Sequence, residues 1–320
     1  MNFYLAPMEG ITGYVYRNAL KEQFGDKIEK YYAPFIVPRP KKGMQSGERT
    51  DLLPENNKGI FLVPQILTRN AEDFISLAER IQHEFGYQEI NLNLGCPSKT
   101  VVSGGRGAGF LDKTEELNHF LETVFSRTTA TISIKTRLGM DDPEEFVRIL
   151  EIYNQYPLSE LIIHARVQSD YYKKDVHMAE FCEAMCNSKA PVCYNGDIFT
   201  PQEYEKRMRL IGESGQNPDD LRAVMLGRGL IGNPALIREI CGGEPVGMKE
   251  LNQFLERILE GYHQALSGDV TVLYRMKELW SYLITRFPEK EKQWKAIQKS
   301  RHITEYKAAV REIFRQPETI

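Results

Sequence analysis

Cysteine, long apolar stretches and an excess of basic charge are all scarce in this sequence. The 320 residues include five cysteines, an odd number without the regular spacing of disulfide-stapled secreted domains. No apolar run approaches the roughly 18 residues that a membrane-spanning helix requires. The N-terminal MNFYLAPMEG lacks the basic start and long apolar stretch of a secretion signal. We therefore expect a cytoplasmic protein, with one large and one small domain at this length.

The net charge of −3 argues against a protein that binds nucleic acid through general basicity, but the charge is unevenly distributed. Residues 249–320 contain 13 Lys and Arg against 10 Asp and Glu, whereas the remainder contains 28 against 34. A mildly acidic body with a basic C-terminal segment suits a polyanionic partner that is bound at one end. An ordinary solvated helical surface would show the same composition.

Short apolar runs rich in β-branched residues recur at fairly even spacing through most of the chain. There are eight, at 3–6, 32–36, 61–66, 89–94, 131–136, 161–164, 192–194 and 223–226. Amphipathic helical patterns separate most of them, as in the segment after Asn70, a residue type that often caps helices. This alternation predicts an α/β fold with a parallel sheet, and at this length a closed (β/α)8 TIM barrel. A doubly wound open sheet is the alternative.

The pattern changes near residue 245. Three apolar stripes at helical spacing follow, beginning at Leu251, Met276 and Tyr306, and no strand-like run interrupts them. These stripes predict a small all-α bundle. We therefore expect a barrel domain at 1–244 and a helical domain at 245–320. The polar stretch 41–57 predicts a long loop after the second strand.

The residues that could carry chemistry fall where the predicted strands end, which is where a TIM barrel places its active site. The last two strands are followed by Asn195-Gly196-Asp197 and by Gly227-Arg228. These loops commonly bind phosphate in such barrels, because glycine lets backbone N–H groups approach the oxygens and arginine adds a charge-assisted bond. A pair of tight turns is the plainer reading.

Three further polar residues lie within or at the ends of strands. Lys135 would be costly in a barrel interior unless it is paired or solvated, and at the strand end it can donate to a flavin ring or a phosphate. Gln65 has an amide that can both donate to and accept from a planar heterocycle, or cap a neighbouring strand. His164 is as consistent with a structural role as with ligand binding.

Cys96 is the sharpest feature, because it lies between Gly95 and Pro97 at the end of the fourth strand. A mobile glycine-rich segment, SGGRGAG at 103–109, is expected to follow it. A thiol on such a turn is poor core packing and suggests a nucleophile, a metal ligand or a proton donor. A nucleophile normally needs an adjacent base, and the local sequence has no histidine. A neutral thiol is a competent general acid.

Six segments in one order resemble the tRNA-dihydrouridine synthase family. They are LAPMEGIT, INLNLGCPSKTVVSGGRGAG, SIKTRLG, IIHARVQSDYY, CYNGDI and AVMLGRG. The resemblance runs in register over residues 3–240 and continues into the helical tail at RMKELWSYL, 275–283. It implies reduction of a uridine in the tRNA D-loop to 5,6-dihydrouridine, with NADPH or NADH reducing bound FMN. Hydride would pass from reduced FMN to C6 of uracil, and Cys96 would deliver the proton to C5.

The same resemblance assigns roles to individual residues. The implied cofactor-binding residues are Pro7, Met8, Glu9, Gln65, Lys135, His164, Asn195, Gly196, Asp197, Gly227 and Arg228. The implied substrate-binding residues are Asn93 at the uracil, Arg137 and Tyr172 near the RNA, and Arg275 and Lys277 in the basic tail. No metal is implied. A monomer with tRNA as its partner is expected, and the tail favours the subgroup that modifies position 16.

The sequence also departs from the family at three positions. Asn91 stands where an aspartate is usual, Ala165 replaces a glycine, and Gly13 stands where an aspartate is frequent. Three other functions stay open on the residues alone. They are a flavin oxidoreductase of free pyrimidines resembling dihydroorotate dehydrogenase, a tRNA-binding module without catalysis, and a phosphate-binding metabolic barrel.

Overall fold

A computed structural model describes residues 1–39 and 43–315. These residues form two compact units. The first unit comprises 1–7, 28–198 and 202–226, and the second comprises 8–27, 199–201 and the residues from Gly227 onward. Residues 41 and 42 of the predicted loop and 316–320 of the predicted helical domain lie outside the described residues. The functional boundary between 244 and 245 stays a prediction.

The first unit is a closed barrel of eight parallel strands in sequential order. The strands are β1 (Phe3–Leu5), β2 (Ile28–Ile36), β3 (Leu62–Ile66), β4 (Glu89–Leu94), β5 (Thr131–Arg137), β6 (Leu161–His164), β7 (Val192–Asn195) and β8 (Ala223–Leu226). Pairing of β1 with β8 closes the sheet, from Phe3 opposite Val224 to Leu5 opposite Leu226. The prediction of a TIM barrel is therefore confirmed, and the open-sheet alternative is wrong.

At least one helix lies between each pair of consecutive strands, as predicted, and the helices after β8 follow one another without a strand among the described residues. The helices are α1 (Tyr14–Phe24), α2 (Ser46–Leu52), α3 (Ala71–Phe85), α4 (Lys99–Val102), α5 (Thr114–Arg127), α6 (Glu145–Tyr153), α7 (Met178–Asn187), α8 (Pro201–Glu213), α9 (Arg228–Gly232), α10 (Leu236–Ile240), α11 (Met248–Ala265), α12 (Asp269–Leu283), α13 (Glu291–Lys299) and α14 (Ile303–Phe314). Helix α3 shows why they form: the Asn70 side chain caps the Asp73 N–H at 2.9 Å, and Gly86 ends the helix at φ +81°. None of the helices among the described residues has the length and hydropathy of a membrane span.

An α-helix and a 3-10 turn lie where the sequence predicts a long loop, so that prediction is wrong for much of 41–57. Helix α2 begins after Gln45, whose backbone N–H donates to the Glu48 carboxylate at 2.7 Å, and a 3-10 turn follows at Pro54–Asn57. Only Leu52 of α2 is buried. A helix with one buried residue has no apolar period for a sequence pattern to detect.

The second unit has its own apolar core, centred on the fully buried Trp280 of α12. The indole N–H donates to the Tyr306 hydroxyl of α14 at 2.8 Å, so the one polar atom of the buried ring is satisfied. The three predicted stripes correspond to α11, α12 and α14. Helix α13 was not predicted, because Ile297 is its only buried residue.

The N-terminal end of the barrel contains a buried charged network centred on Glu160, which is 3% exposed. Its Oε1 accepts from the Tyr4 hydroxyl at 2.7 Å, the Lys30 amine at 3.0 Å and Arg222 Nε at 3.1 Å. Its Oε2 accepts from the Tyr32 hydroxyl at 3.1 Å. Burial, reinforced by the Glu160 charge, raises the pKa of both tyrosines. One carboxylate thus satisfies donors from β1, from β2 and from the residue that precedes β8, at the end of the barrel away from the predicted site.

Candidate active site

The strand register brings several predicted residues side by side at the C-terminal end of the barrel. Asn93 of β4 lies opposite Lys135 of β5, and His164 of β6 lies opposite Asn195 of β7. The Lys135 amine donates to Asn195 Oδ1 at 2.8 Å, and Asn195 Nδ2 donates to the Met225 carbonyl of β8 at 2.9 Å. Two predicted cofactor residues, Lys135 and Asn195, are therefore in direct contact.

The surroundings of the Lys135 amine disfavour its charged form. Burial, and secondly the charge of Arg137, lower the pKa of Lys135 to about 8, while Cys193 and Cys96 act in the opposite direction. No carboxylate lies within ion-pair distance of the amine in 1–39 or 43–315. The unfolded chain binds this proton with the usual lysine pKa near 10.5. Between about pH 8 and 10.5 the unfolded chain therefore binds more protons at Lys135 than the folded protein does. The contribution of Lys135 to the free energy of unfolding of the ligand-free protein rises with pH over this range.

The turn after β4 is held by the side chain of Asn93. Its Oδ1 accepts from the backbone N–H groups of Gly95 at 3.1 Å and Cys96 at 3.0 Å. Its Nδ2 donates to Gln65 Oε1 of β3 at 2.7 Å. Gln65 is fully buried, so the predicted flavin ligand is also a structural neighbour of the cysteine turn.

The glycine-rich segment folds back onto Cys96. The Ala108 N–H donates to the Cys96 carbonyl at 3.1 Å, next to a 3-10 turn at Gly107–Phe110. Gly107 has φ +56°, and a Cβ there would meet the Cys96 carbonyl oxygen at 2.9 Å. Glycine is therefore required for this close approach, while Cys96 itself is only half-buried.

Arg137 is fully buried and connects the cysteine turn to the loop after β6. Its Nε donates to the Gly95 carbonyl at 3.0 Å, and its two terminal nitrogens donate to the carbonyls of Val167 at 2.8 Å and Tyr171 at 3.0 Å. Tyr171 has φ +48°, a conformation that non-glycine residues rarely adopt. The contact of Arg137 with RNA stays a prediction; these three hydrogen bonds are with backbone carbonyls.

Tyr172 and His164 lie together beside Arg137. The Arg137 guanidinium lies 5.2 Å from the centroid of the Tyr172 ring, and the rings of Tyr172 and His164 are 6.0 Å apart. Tyr172 is 48% exposed, whereas His164 is buried. An exposed aromatic ring supported by a cation and a second ring is a suitable surface for stacking a nucleobase.

Asp197 forms an ion pair in the loop after β7. Arg166 donates to its two carboxylate oxygens at 2.8 and 2.5 Å, and also donates to the Lys174 carbonyl at 2.7 Å through Nε. The preceding Gly196 leaves no space for a Cβ, which would overlap the Tyr194 ring. The predicted contact of Asp197 with the cofactor would therefore be made by a carboxylate that is already paired with Arg166.

The remaining predicted residues belong to the second unit, apart from the half-buried Pro7 that follows β1. Met8 N–H donates to the Thr12 hydroxyl at 2.8 Å, and the Gly10 carbonyl accepts from Arg275 at 2.9 Å. Glu9 is exposed between them. Arg275 therefore holds the loop that carries two predicted flavin contacts.

Gly227 and Arg228 open the short helix α9. The Gly227 carbonyl accepts from the Ile231 N–H at 3.0 Å, and the Arg228 guanidinium lies 5.3 Å from the centroid of the Phe199 ring. In α12, the Lys277 amine donates to the Ser300 carbonyl at 2.6 Å. The structure thus gives both predicted basic residues of α12 a contact within their own unit.

A family model described as dihydrouridine synthase matches residues 4–317, nearly the whole chain. The chain belongs to the dihydrouridine synthase family. This is a family of flavin-dependent oxidoreductases, so the chain is an enzyme by membership.

Several relatives of this dihydrouridine synthase align over most of both chains. The tRNA-dihydrouridine(16) synthase of Pseudomonas syringae pv. tomato is 28% identical over 311 residues, covering 90% of this chain and 92% of the relative. The enzyme of the same name from Escherichia coli K12 is 28% identical over 305 residues, covering 90% and 91%. Both alignments extend across the barrel and the helical tail.

Solved structures support the barrel fold. A variant of NCR from Zymomonas mobilis has a TM-score of 0.51 at 14% identity, covering 77% of this chain and 88% of that one. A mutant of morphinone reductase in complex with tetrahydroNAD has a TM-score of 0.52 at 11% identity, covering 76% and 87%. At these identities the likeness concerns the fold alone.

Three side chains that support the site of this dihydrouridine synthase were given no role in it from the sequence: Asn91, which was noted only as a departure from the family, Ser133 and Arg166. A signal for two of them was present. Residues two apart on a strand face the same side, so Asn91 accompanies Asn93 and Ser133 accompanies Lys135. Arg166 had no such signal, because its partner Asp197 follows a different strand.

Proposed function

We propose that this protein reduces a uridine in the D-loop of transfer RNA to 5,6-dihydrouridine, and that the uridine is at position 16. The observation that carries the proposal is the match to the dihydrouridine synthase family over 4–317, which includes Cys96 and the helical tail. The names of the relatives, tRNA-dihydrouridine(16) synthases, support the choice of substrate and position.

We propose FMN as the cofactor, and the residues present fit it. A half-buried amine without a carboxylate partner among the described residues is suited to an electron-rich ring, and Lys135 is such an amine. The glycines after β7 and β8 suit a phosphate and its chain. The proposed contacts are Pro7, Met8, Glu9, Gln65, Lys135, His164, Asn195, Gly196, Asp197, Gly227 and Arg228.

FMN, once reduced by NADPH or NADH, would supply the hydride that uracil C6 receives. Cys96 would donate the proton to C5, so that the C5=C6 double bond becomes single and the thiol is restored from solvent. Asn93 holds the turn that carries Cys96 and would also contact the uracil. Arg137 holds the same turn through the Gly95 carbonyl.

The base must leave its stack to reach such a site, which costs a few kcal/mol and is easiest in a loop. Tyr172 would stack near the target nucleotide, with Arg137 beside it. We propose residues 245–320 as the tRNA-binding domain, with Arg275 and Lys277 on its contact side, and 1–244 as the catalytic domain. We further propose that the protein acts in the cytoplasm as a monomer.

The test is made on the purified full-length protein. We expect flavin absorbance in the visible spectrum and, with unmodified tRNA and NADPH, dihydrouridine at position 16 in the mass spectrum of the digested RNA. Another D-loop position would contradict the positional proposal alone. NADPH oxidation with a free pyrimidine but not with tRNA would contradict the substrate. A colourless protein that cannot be loaded with FMN would contradict the cofactor.

The affinity for FMN is expected to fall as pH rises through about 8, where Lys135 loses its proton. Loss of a hydrogen bond from a charged donor costs roughly 1.5 kcal/mol of binding free energy. We therefore expect FMN to bind about tenfold more weakly at pH 9.5 than at pH 7. Titration of flavin fluorescence with flavin-free protein measures this. Lys135→Met should bind more weakly and show a flat profile over the same range; a flat profile for the wild type would contradict the role of the amine.

A further inference from the structure

A chain of buried side-chain hydrogen bonds runs across three strands beside the site. Asn93 Nδ2 donates to Gln65 Oε1 at 2.7 Å, Gln65 Nε2 donates to Asn91 Oδ1 at 2.7 Å, and Asn91 Nδ2 donates to Ser133 Oγ at 2.9 Å. Gln65, Asn91 and Ser133 are fully buried, and Asn93 is 7% exposed. We call these four residues the amide chain.

All three amides of the amide chain donate in the same direction, from Asn93 towards Ser133. Turning Asn93 or Gln65 over alone would place oxygen against oxygen on one side and N–H against N–H on the other, and turning Asn91 over would place N–H against N–H at Gln65. In a buried setting each unsatisfied group costs about 1–3 kcal/mol, so the orientations are fixed together. The orientation of Asn93 is therefore coupled to those of Gln65 and Asn91: the N–H groups of Gly95 and Cys96 require an oxygen opposite them, and the bonds along the amide chain hold Asn93 in that orientation.

The orientation of Asn93 matters because its Oδ1 is the end of the amide chain that faces the cysteine turn. This oxygen accepts the N–H groups of Gly95 and Cys96, and an overturned Asn93 would present N–H to N–H there. The turn would then lose both bonds. The position of the Cys96 side chain thus depends on which way the Asn93 amide faces.

We propose that Asn91 and Ser133 are positioning residues for Cys96, acting through Gln65 and Asn93. The consequence for catalysis rests on the proposed function, in which Cys96 is the proton donor. The aspartate that is usual at position 91 in this family has no side-chain N–H. With aspartate there, the Ser133 hydroxyl would have to donate the hydrogen bond between the two residues. Asparagine instead gives this protein an uncharged chain in which Asn91 Nδ2 donates to the Ser133 hydroxyl.

The direct test is Asn91→Leu, which keeps the shape of the side chain and removes both of its hydrogen bonds. With the flavin-containing protein we expect kcat for dihydrouridine formation to fall about tenfold, with KM for tRNA changed less than twofold. The rate of Cys96 alkylation by iodoacetamide, followed by peptide mass spectrometry, should change at least threefold. Ser133→Ala should change it in the same direction by a smaller factor, because only the terminal acceptor is lost.

The other cysteines serve as internal references in the same experiment. Cys182 and Cys193 are buried and should stay unlabelled, while the exposed Cys186 should react at its wild-type rate. The matched control is Asn57→Leu, another buried asparagine, whose Nδ2 donates to the carbonyls of Asp51 and Leu53. Its Cys96 labelling should equal that of the wild type.

Three outcomes would overturn the proposal. They are wild-type labelling of Cys96 in both amide-chain variants, an equal change in Asn57→Leu, and labelling of Cys193 together with Cys96, which would indicate general loosening. Because labelling needs no substrate, it decides the positioning role even if the protein reduces no RNA. Failure of the proposed function and failure of this inference are therefore separable.

Discussion

Replacing Cys96 with alanine is expected to lower kcat for dihydrouridine formation roughly 10²–10⁴-fold, the usual contribution of a positioned general acid. The thiol lies on a turn that Asn93 and Arg137 hold, and the Ala108 N–H donates a hydrogen bond to the backbone carbonyl of Cys96. These contacts involve the backbone, so the variant should keep the turn, the flavin absorbance and the rate of NADPH oxidation by the flavin. Single-turnover reaction of the reduced enzyme with unmodified tRNA measures the loss.

Two comparisons separate proton donation from other roles of the cysteine. Cys96→Ser keeps a hydroxyl, but a hydroxyl is a far weaker acid than a thiol, so we expect a residual rate between those of alanine and the wild type. Cys186→Ala replaces an exposed cysteine of α7 and should be fully active. A wild-type rate in Cys96→Ala would rule out the proton-donor role, and loss of flavin in that variant would indicate a structural role instead.

Glu160→Gln is expected to lower the free energy of unfolding by about 3 kcal/mol, since it removes one partner from a buried charged network. Lys30 would keep Glu89, its partner at 2.8 Å, but Tyr4 and Arg222 would lose a charged acceptor. A decrease in Tm of roughly 4–5 °C would follow for a chain of this length. Urea unfolding at pH 7 measures the change.

The matched control is Glu29→Gln, because Glu29 also pairs with Arg222, at 2.5 Å, but with its side chain 37% exposed. An exposed pair contributes about 0–1 kcal/mol, so this variant should be close to the wild type. Flavin binding should be unchanged in both, since Glu160 precedes β6 whereas the site lies at the opposite strand ends. A loss below about 1 kcal/mol in Glu160→Gln would show that the network is not a net source of stability.

Much of the barrel could be predicted because the spacing of apolar residues within each strand, and within most helices, indicates the type of element. Strand bounds agreed at 89–94, 161–164 and 223–226, and the cap at Asn70 was recognised from residue type alone. The helices α2 and α13 could not be predicted, because each buries a single residue and leaves no periodic signal. Local hydrogen bonds, such as Gln45 to Glu48, stabilise α2 instead.

The sequence by itself determined the kind of fold and the family resemblance, and it supplied Cys96 as the predicted proton donor, since these depend on the order of short motifs along the chain. Tertiary structure alone decided which side chains meet. Arg137 binds three carbonyls from two loops, Asp197 pairs with Arg166, and Asn91 reaches Ser133 through strand register. Such contacts join residues from different strands, and closure of the barrel is what brings those strands together; a pattern read along one strand cannot contain them.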